Sequence, residues 1–377
     1  MSGERMHIFL LEPYYGGSHR TWADGYAAHS HHYVHLFTLP ARFWKWRMHG
    51  AAVTLADQVR AQAARPDLIL ASDMLHLPVF LGLTRDILAD VPVALYCHEN
   101  QLTYPVPPGE KRDLTYGMMN WLSMLAADRV FFNSHYHYAD WFDALPRLLK
   151  HFPDWTHVHR IPEVQEKADV LPVGCDLRRL DEGDGDSIPS ADPSAPPLIL
   201  WNQRWEYDKD PQTFFEALYA LADEGIAFRV ALAGANVRQM PTEFDRARRR
   251  LGERVVHYGH ADKITYRRLL HQADVVVSTA IHEFFGVAIV EAIHCGCFPV
   301  LPRRLSYPEI VPCPYHEACL YPDFEGLVTR LRKAVSDDHR DACLTIRAAL
   351  RRAVSRFDWA TMAPRYDALL ASLARRQ

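Results

Sequence analysis

The sequence predicts an α/β protein of two doubly wound domains joined by a linker. Three observations lead there. Short apolar, β-rich runs alternate with helical stretches along the chain. Runs apolar on both faces suit buried parallel strands, and their spacing suits βαβ units. The alternation stops at "LDEGDGDSIPSADPSAPP" (180–197), where Asp, Gly, Ser and Pro dominate, and then restarts. Finally, 377 residues exceed one ordinary core.

Taken in order, "HIFLLEP" (7–13), "YVHLFTL" (33–39), "LILAS" (68–72), "VALYCHE" (93–99) and "RVFFNS" (129–134) read as strands of the first domain, residues 1–176. The linker is expected over 177–197, because nothing in its composition can pack. In the second domain, 198–355, the strands are "LILWNQR" (198–204), "RVALAGA" (229–235), "VVHYGH" (255–260), "DVVVSTA" (274–280) and "CFPVLP" (297–302). Within 356–377, "FDWATMAPRYDALLASLARR" reads as an amphipathic helix packing across one or both domains. A ligand is expected between the domains, outside the carboxyl ends of the strands.

Composition removes some functions. The net charge of −4 gives no bulk grip on nucleic acid, so any such contact must be local. No apolar run reaches the roughly 20 residues of a membrane span, and the start lacks a signal peptide's cleavage region. Seven scattered cysteines suit reduced thiols in a cytoplasmic protein. The histidines of "HSHHYVH" (29–35) have no Cys or acid cluster to complete a metal set, and no Asp-x-Asp follows a strand of the second domain, so no metal is expected.

The chemistry starts at "STAIHEFFGVAIVEAIHCGCFPV" (278–300), which reads as strand end, loop, helix and strand. A helix starting near Gly286 presents free N–H groups and a positive dipole end, a ready site for a diphosphate. Gly286 lets main chain approach a ligand. Glu283 and Glu291 can accept hydrogen bonds from sugar and ribose hydroxyls; two solvated glutamates are the bland alternative. "WNQRWEYDKDP" puts Arg204 and Lys209 after a strand, where cations can hold a leaving diphosphate, unless they merely pair with Glu206 and Asp208. Gly234 and Gly259 also follow strands, as do Gly16 and Gly17 in "EPYYGGSH". "YCHENQLTYP" clusters His98, Glu99, Asn100 and Gln101 at a strand end, where polar side chains need a role. "ARFWKWR" interleaves Arg42, Lys45 and Arg47 with Phe43, Trp44 and Trp46, a pattern that can grip phosphate and stack on an unpaired base, or pack its tryptophans inside. Arg238, Arg246, Arg248, Arg249, Arg250 and Arg254 form a second basic stretch that reads equally well as a solvated helix face.

The Arg204/Lys209, Gly234 and Glu-Phe-Phe-Gly-x4-Glu-Ala pattern resembles retaining glycosyltransferases of the GT-B architecture, two Rossmann-like domains with an interdomain cleft. Together, "GGSH", "LPARFWKWR", "HENQLTYP", "RWEYDKDP" and "HEFFGVAIVEA" resemble the tRNA-queuosine α-mannosyltransferase family. That resemblance implies transfer of mannose from GDP-mannose, with retention, to the cyclopentenediol of queuosine at the wobble position of tRNA-Asp. It implies no cofactor beyond the nucleotide-sugar substrate. The glycosyltransferase resemblance implies that Arg204 and Lys209 bind the diphosphate, Glu291 the ribose, and Glu283 with the main chain of Phe284, Phe285, Gly286 and Val287 the sugar. From the residues themselves, Gly16, Gly17, Gly234 and Gly259 are expected to complete the donor set, and His98 to act with Glu283 in catalysis. The acceptor falls to His19, Arg42, Lys45, Trp46, Arg47, Glu99, Asn100, Gln101 and Tyr104. "LPVGCD" (171–176) resembles the hinge of such enzymes, placing the border near 175. Two other readings stay open: a glycosyltransferase for a glycan, lipid or small molecule, and a non-catalytic nucleotide- or tRNA-binding protein.

Overall fold

The structure, a computed structural model, describes residues 5–106, 109, 111–182, 195–234 and 242–375, with main chain alone at 337–342. The chain divides into two compact units, Met1–Cys175 with Trp359–Gln377, and Asp176–Asp358.

The first unit is one parallel sheet of six strands: β1 (His7–Tyr15), β2 (Tyr33–Pro40), β3 (Leu68–Ser72), β4 (Val93–Cys97), β5 (Arg129–Phe132) and β6 (Ala168–Val170), in the order β2-β1-β3-β4-β5-β6. β3 and β4 are buried at every position, as strands covered on both faces must be. The crossover helices start on side-chain caps where the sequence offers them: Asp113 accepts from the Thr115 N–H and Ser134 from the His137 N–H. The helix Trp359–Ala374 packs on the helix Gly17–His29. Tyr26 Oη donates to Asp367 at 2.9 Å, Trp22 Nε1 donates to Tyr366 Oη at 3.2 Å, and Tyr366 Oη donates to the Pro172 carbonyl at 3.0 Å.

The second unit repeats the plan with β7 (Leu198–Trp201), β8 (Arg229–Ala233), β9 (Val255–Gly259), β10 (Val275–Val277), β11 (Phe298–Pro302) and β12 (Leu320–Tyr321), in the order β12-β11-β10-β7-β8-β9, all parallel. Part of the stretch expected as linker is ordered. Arg178–Asp181 forms a helical turn, because Leu180 is buried and its carbonyl accepts from Arg267 Nε and lies 2.9 Å from His271 Nε2. The remainder of that expectation, 183–194, and Arg238 lie outside the described residues. No helix among the described residues is long and apolar enough to cross a membrane.

Candidate functional site

In the second unit, two loops at the carboxyl ends of β7 and β10 are stitched together by main-chain contacts. The Ile281 N–H donates to the Asp208 carbonyl at 2.9 Å, and Thr279 Oγ1 donates to the carbonyls of Lys209 and Asp210. Asp210, in the left-handed region at φ 48°, caps the helix Pro211–Asp223 by accepting from the Thr213 N–H. This fixes Lys209 beside the Glu283 loop. Lys209 Nζ donates to the His282 carbonyl at 2.8 Å and lies 3.2 Å from Glu283 Oε2 and 3.3 Å from Asp208 Oδ2. Arg204, half exposed, reaches Glu206 at 3.2 Å and Asp208 at 3.8 Å. Asp208 is therefore the buried anion between the two cations, a role its sequence position concealed. Burial pulls the Lys209 ammonium down, but Glu283 and Asp208 overcome it and hold the pKa above its ordinary value. Burial pushes Glu283 up, and Lys209 reverses that to leave it low. His282 is driven down to about 4 by burial and by Lys209.

Glu291 sits half-buried on the helix Val287–His294. It accepts from Tyr266 Oη at 2.8 Å, and Tyr266 Oη in turn accepts from Asn202 Nδ2 at 3.2 Å. Burial raises the Glu291 carboxyl, against the Tyr266 hydrogen bond. The rings of Phe284 and Phe285 are buried, against His282 and Phe357 respectively, so the 284–287 stretch offers main chain to a ligand.

Three glycines have reasons other than ligand approach. Gly286 adopts φ 96° as the residue before its helix, and a Cβ there would meet Ile310 at 3.2 Å and Tyr307 at 3.5 Å. Its flank is packing, and its left-handed backbone is what demands glycine. At Gly234 a Cβ would lie 2.1 Å from the Gln203 carbonyl, and at Gly16 it would strike Ala41 at 2.4 Å. Gly17 (φ 52°) and Gly259 (φ 114°) hold left-handed backbone, and a Cβ at either has open space.

In the first unit, the carboxyl ends of β1 and β4 bring together Glu12, His19 and His98, all buried. Glu12 accepts from the Tyr14 N–H at 2.8 Å through Oε1, and its Oε2 lies 3.0 Å from His19 Nδ1. His98 Nε2 lies 4.0 Å from the same Oε2, outside hydrogen-bond range. Burial pulls His19 down, but Glu12, with Glu99 and Asp73, pushes it up to about 9. His98 goes well below its ordinary value through burial and the charges of His19 and His137. Asp73, pushed up to about 7 by burial, accepts from the Glu99 N–H at 3.1 Å. The ligand-type atoms of Glu12, His19 and His98 all lie within 4.8 Å of one another, a spacing that can also gather round an ion. The fold makes this set from residues far apart in sequence, where sequence reading expected none.

The acceptor residues divide. Asn100 is fully buried and spent: its Nδ2 donates to Asp140 at 2.7 Å and its Oδ1 accepts from the Leu102 N–H at 2.9 Å. Both bonds shape the loop that carries it. Gln101, half-buried, receives Arg112 on its carbonyl, and Tyr104 is half-buried beside it in the chain. Glu99 is half-buried at the strand end. At 42–47 the two tryptophans part ways. Trp44 packs on Tyr116 with ring centroids 4.8 Å apart, and Lys45 lies over it. Phe43 and Trp46 are 79% and 66% exposed, with Arg42 and Lys45 exposed beside them. Arg47 donates to the Pro40 carbonyl. In the other basic stretch, Arg248, Arg250 and Arg254 lie over Tyr258, Tyr219 and Phe228, and Arg250 pairs with Asp223 at 2.8 Å. These arginines serve their own fold.

Comparison with known proteins places the chain in a family. A family model described as tRNA-queuosine alpha-mannosyltransferase N-terminal matches residues 7–175, and one described as Glycosyl transferases group 1 matches 186–350. A tRNA-queuosine alpha-mannosyltransferase of Drosophila melanogaster is 36% identical over 318 residues, 83% of each chain. The chain belongs to the tRNA-queuosine alpha-mannosyltransferase family. It is a glycosyltransferase, in the hexosyltransferase class. Over 180 residues, 47% of this chain and 44% of its own, a GDP-mannose-dependent alpha-(1-6)-phosphatidylinositol dimannoside mannosyltransferase of Mycobacterium tuberculosis (strain ATCC 25177 / H37Ra) is 29% identical. Among solved structures, a sucrose-phosphate synthase from Thermosynechococcus elongatus superposes with TM-score 0.71 at 17% identity, over 99% of this chain and 100% of its own. The starch synthase IV catalytic domain from Arabidopsis thaliana gives 0.71 at 12% identity, over 99% and 100%. At such identities these two bear on the fold of family members alone, the GT-B architecture.

Proposed function

We propose that the chain transfers mannose from GDP-mannose, with retention, onto the cyclopentenediol of queuosine at the wobble position of tRNA-Asp. The observation behind this reading is the 36% identity to the Drosophila enzyme over 83% of each chain. The partial likeness to a GDP-mannose-dependent enzyme supports the donor.

In this reading Arg204 and Lys209 receive the diphosphate, and the helix start at Val287 adds N–H groups. Charge grows on the leaving diphosphate as the glycosidic bond breaks, so these fixed positive groups stabilise the transition state more than the ground state. Glu283 and the 284–287 main chain orient the sugar, and Glu291 takes the ribose hydroxyls. The queuosine hydroxyl attacks on the face the diphosphate leaves. His98, a buried neutral imidazole, orients the sugar or that hydroxyl. Phe43 and Trp46, with Arg42 and Lys45, offer stacking and phosphate contacts to unpaired tRNA bases.

The test incubates the chain with queuosine-containing and queuosine-free tRNA and a panel of nucleotide-sugars, followed by nucleoside mass analysis. A gain of one hexose on queuosine with GDP-mannose alone is the expected result. Transfer from a UDP- or ADP-sugar, or none to queuosine, refutes the assignment.

A further inference from the structure

We propose that Glu12 and His19 form a positioning couple that fixes His98 and keeps its Nε2 unclaimed for the substrate. The inference rests on the reading above for what His98 does, but not for how it is held.

Glu12 lies inside β1 with its side chain fully buried, an expensive place for a carboxylate. Both of its oxygens are engaged, Oε1 by the Tyr14 N–H and Oε2 by His19. His98 Nε2 stands 4.0 Å from Oε2, too far for a hydrogen bond from this carboxylate. Among the described residues that nitrogen is buried without a hydrogen-bond partner. A buried polar atom left unpaired costs about 1–3 kcal/mol, so it marks a site that something else completes.

The imidazole is also locked in place. The ring centroid of His19 is 4.2 Å from it, Trp22 meets it edge-on at 4.7 Å, and Tyr96 lies at 4.9 Å. Its own carbonyl accepts from Asn133 Nδ2 at 3.0 Å. The cation on His19 opposes a second proton on the adjacent ring. Among the described residues, the titratable groups facing the two rings are Glu12 and Tyr14 on β1, Asp73 after β3, Tyr96 on β4, Glu99 after β4 and His137 on the helix His135–Leu149. Glu12 is the nearest anion and His19 the nearest cation. A hydroxyl reaching Nε2 thus meets a neutral, immobile partner.

The experiment follows the ring titrations of the full-length chain, labelled with ¹³C and ¹⁵N at histidine, by NMR. The His98 resonances are assigned by their loss in His98→Ala. In the unaltered chain His19 holds its proton to about 9, and His98 stays neutral well below 6.5. His19→Gln leaves the Glu12 charge unbalanced beside His98. Its midpoint is expected to rise by about one unit or more, and the acid limb of kcat to move the same way, with donor KM within about twofold. Glu12→Gln provides the second reading, in which the His19 midpoint falls below the ordinary value. Midpoints unmoved in both variants overturn the couple, whatever the activity. One equivalent of Zn²⁺ bound by the chain, with both ring titrations abolished, also overturns it and makes the cluster a metal site. A His98 midpoint that moves in His19→Gln, with normal turnover in His98→Ala, refutes instead the function assigned to His98.

Discussion

Lys209 in the second unit is buried among carboxylates, whereas His98 in the first is buried beside a cation. Both sit at the carboxyl ends of strands, yet the surroundings produce opposite electrical states. Glu283 and Asp208 keep Lys209 charged against its burial; burial, helped by His19, keeps His98 neutral. On the proposed function the contrast follows from the ligands. A diphosphate arrives with negative charge and is met by cations held ready. A hydroxyl arrives neutral and is met by an imidazole free of a proton. Each unit thus sets the charge of its own strand end, one storing a proton and the other excluding it.

The comparison is broken most sharply at Lys209. Lys209→Ala strips the diphosphate's buried partner, leaves Glu283 without its cation and leaves Asp208 with Arg204 alone. In the transfer assay kcat/KM is expected to fall by roughly 10³. A loss under tenfold removes Lys209 from the leaving-group role. Next is His98→Ala, expected to lower kcat by roughly 10² with donor KM little altered. A rise in KM with kcat intact makes His98 a binding group only. Trp46→Ala sharpens the acceptor side. Stacking on an unpaired base is worth about 1–3 kcal/mol, so KM for tRNA should rise roughly 5- to 150-fold while donor KM holds. The smallest effect belongs to Asn100→Ala. Its bonds to Asp140 and the Leu102 N–H make it a scaffold residue, so denaturant unfolding should show a loss of about 1–2 kcal/mol. Turnover per folded molecule is expected to stay within about twofold; a large rise in KM for tRNA restores Asn100 to the acceptor set.

Much of the fold was legible because buried parallel strands announce themselves as apolar runs. "LILAS" and "VALYC" have no polar face to hide, and both are strands buried throughout. β6 and β12 escaped notice because three and two residues at a sheet edge carry no periodic signal. In the second unit the site lies within two short segments, 204–209 and 283–291, so spacing alone exposed most of it. Asp208 looked like a surface partner of Arg204, and only burial showed it standing between two cations. In the first unit Glu12 was quoted within a glycine turn without a role. An acid ending an apolar run was the available signal, and its meaning depends on β1 and β4 arriving together. At Asn100 the loop bonds were invisible in the sequence, because a polar residue at a strand end has the same appearance whether it serves a ligand or its own loop.

The chain leaves the first unit at Cys175 and re-enters it at Trp359, and the Trp359 N–H donates to the Cys175 carbonyl at 3.0 Å. Everything between those two neighbours is an insertion in the topological sense. On a ribosome, the opening sheet must therefore wait, its Trp22–Tyr26 flank bare, until the whole of the later sheet has emerged and the last helix arrives to cover it. Truncations that remove Trp359–Ala374 would then strike the first unit, which that helix covers, hardest.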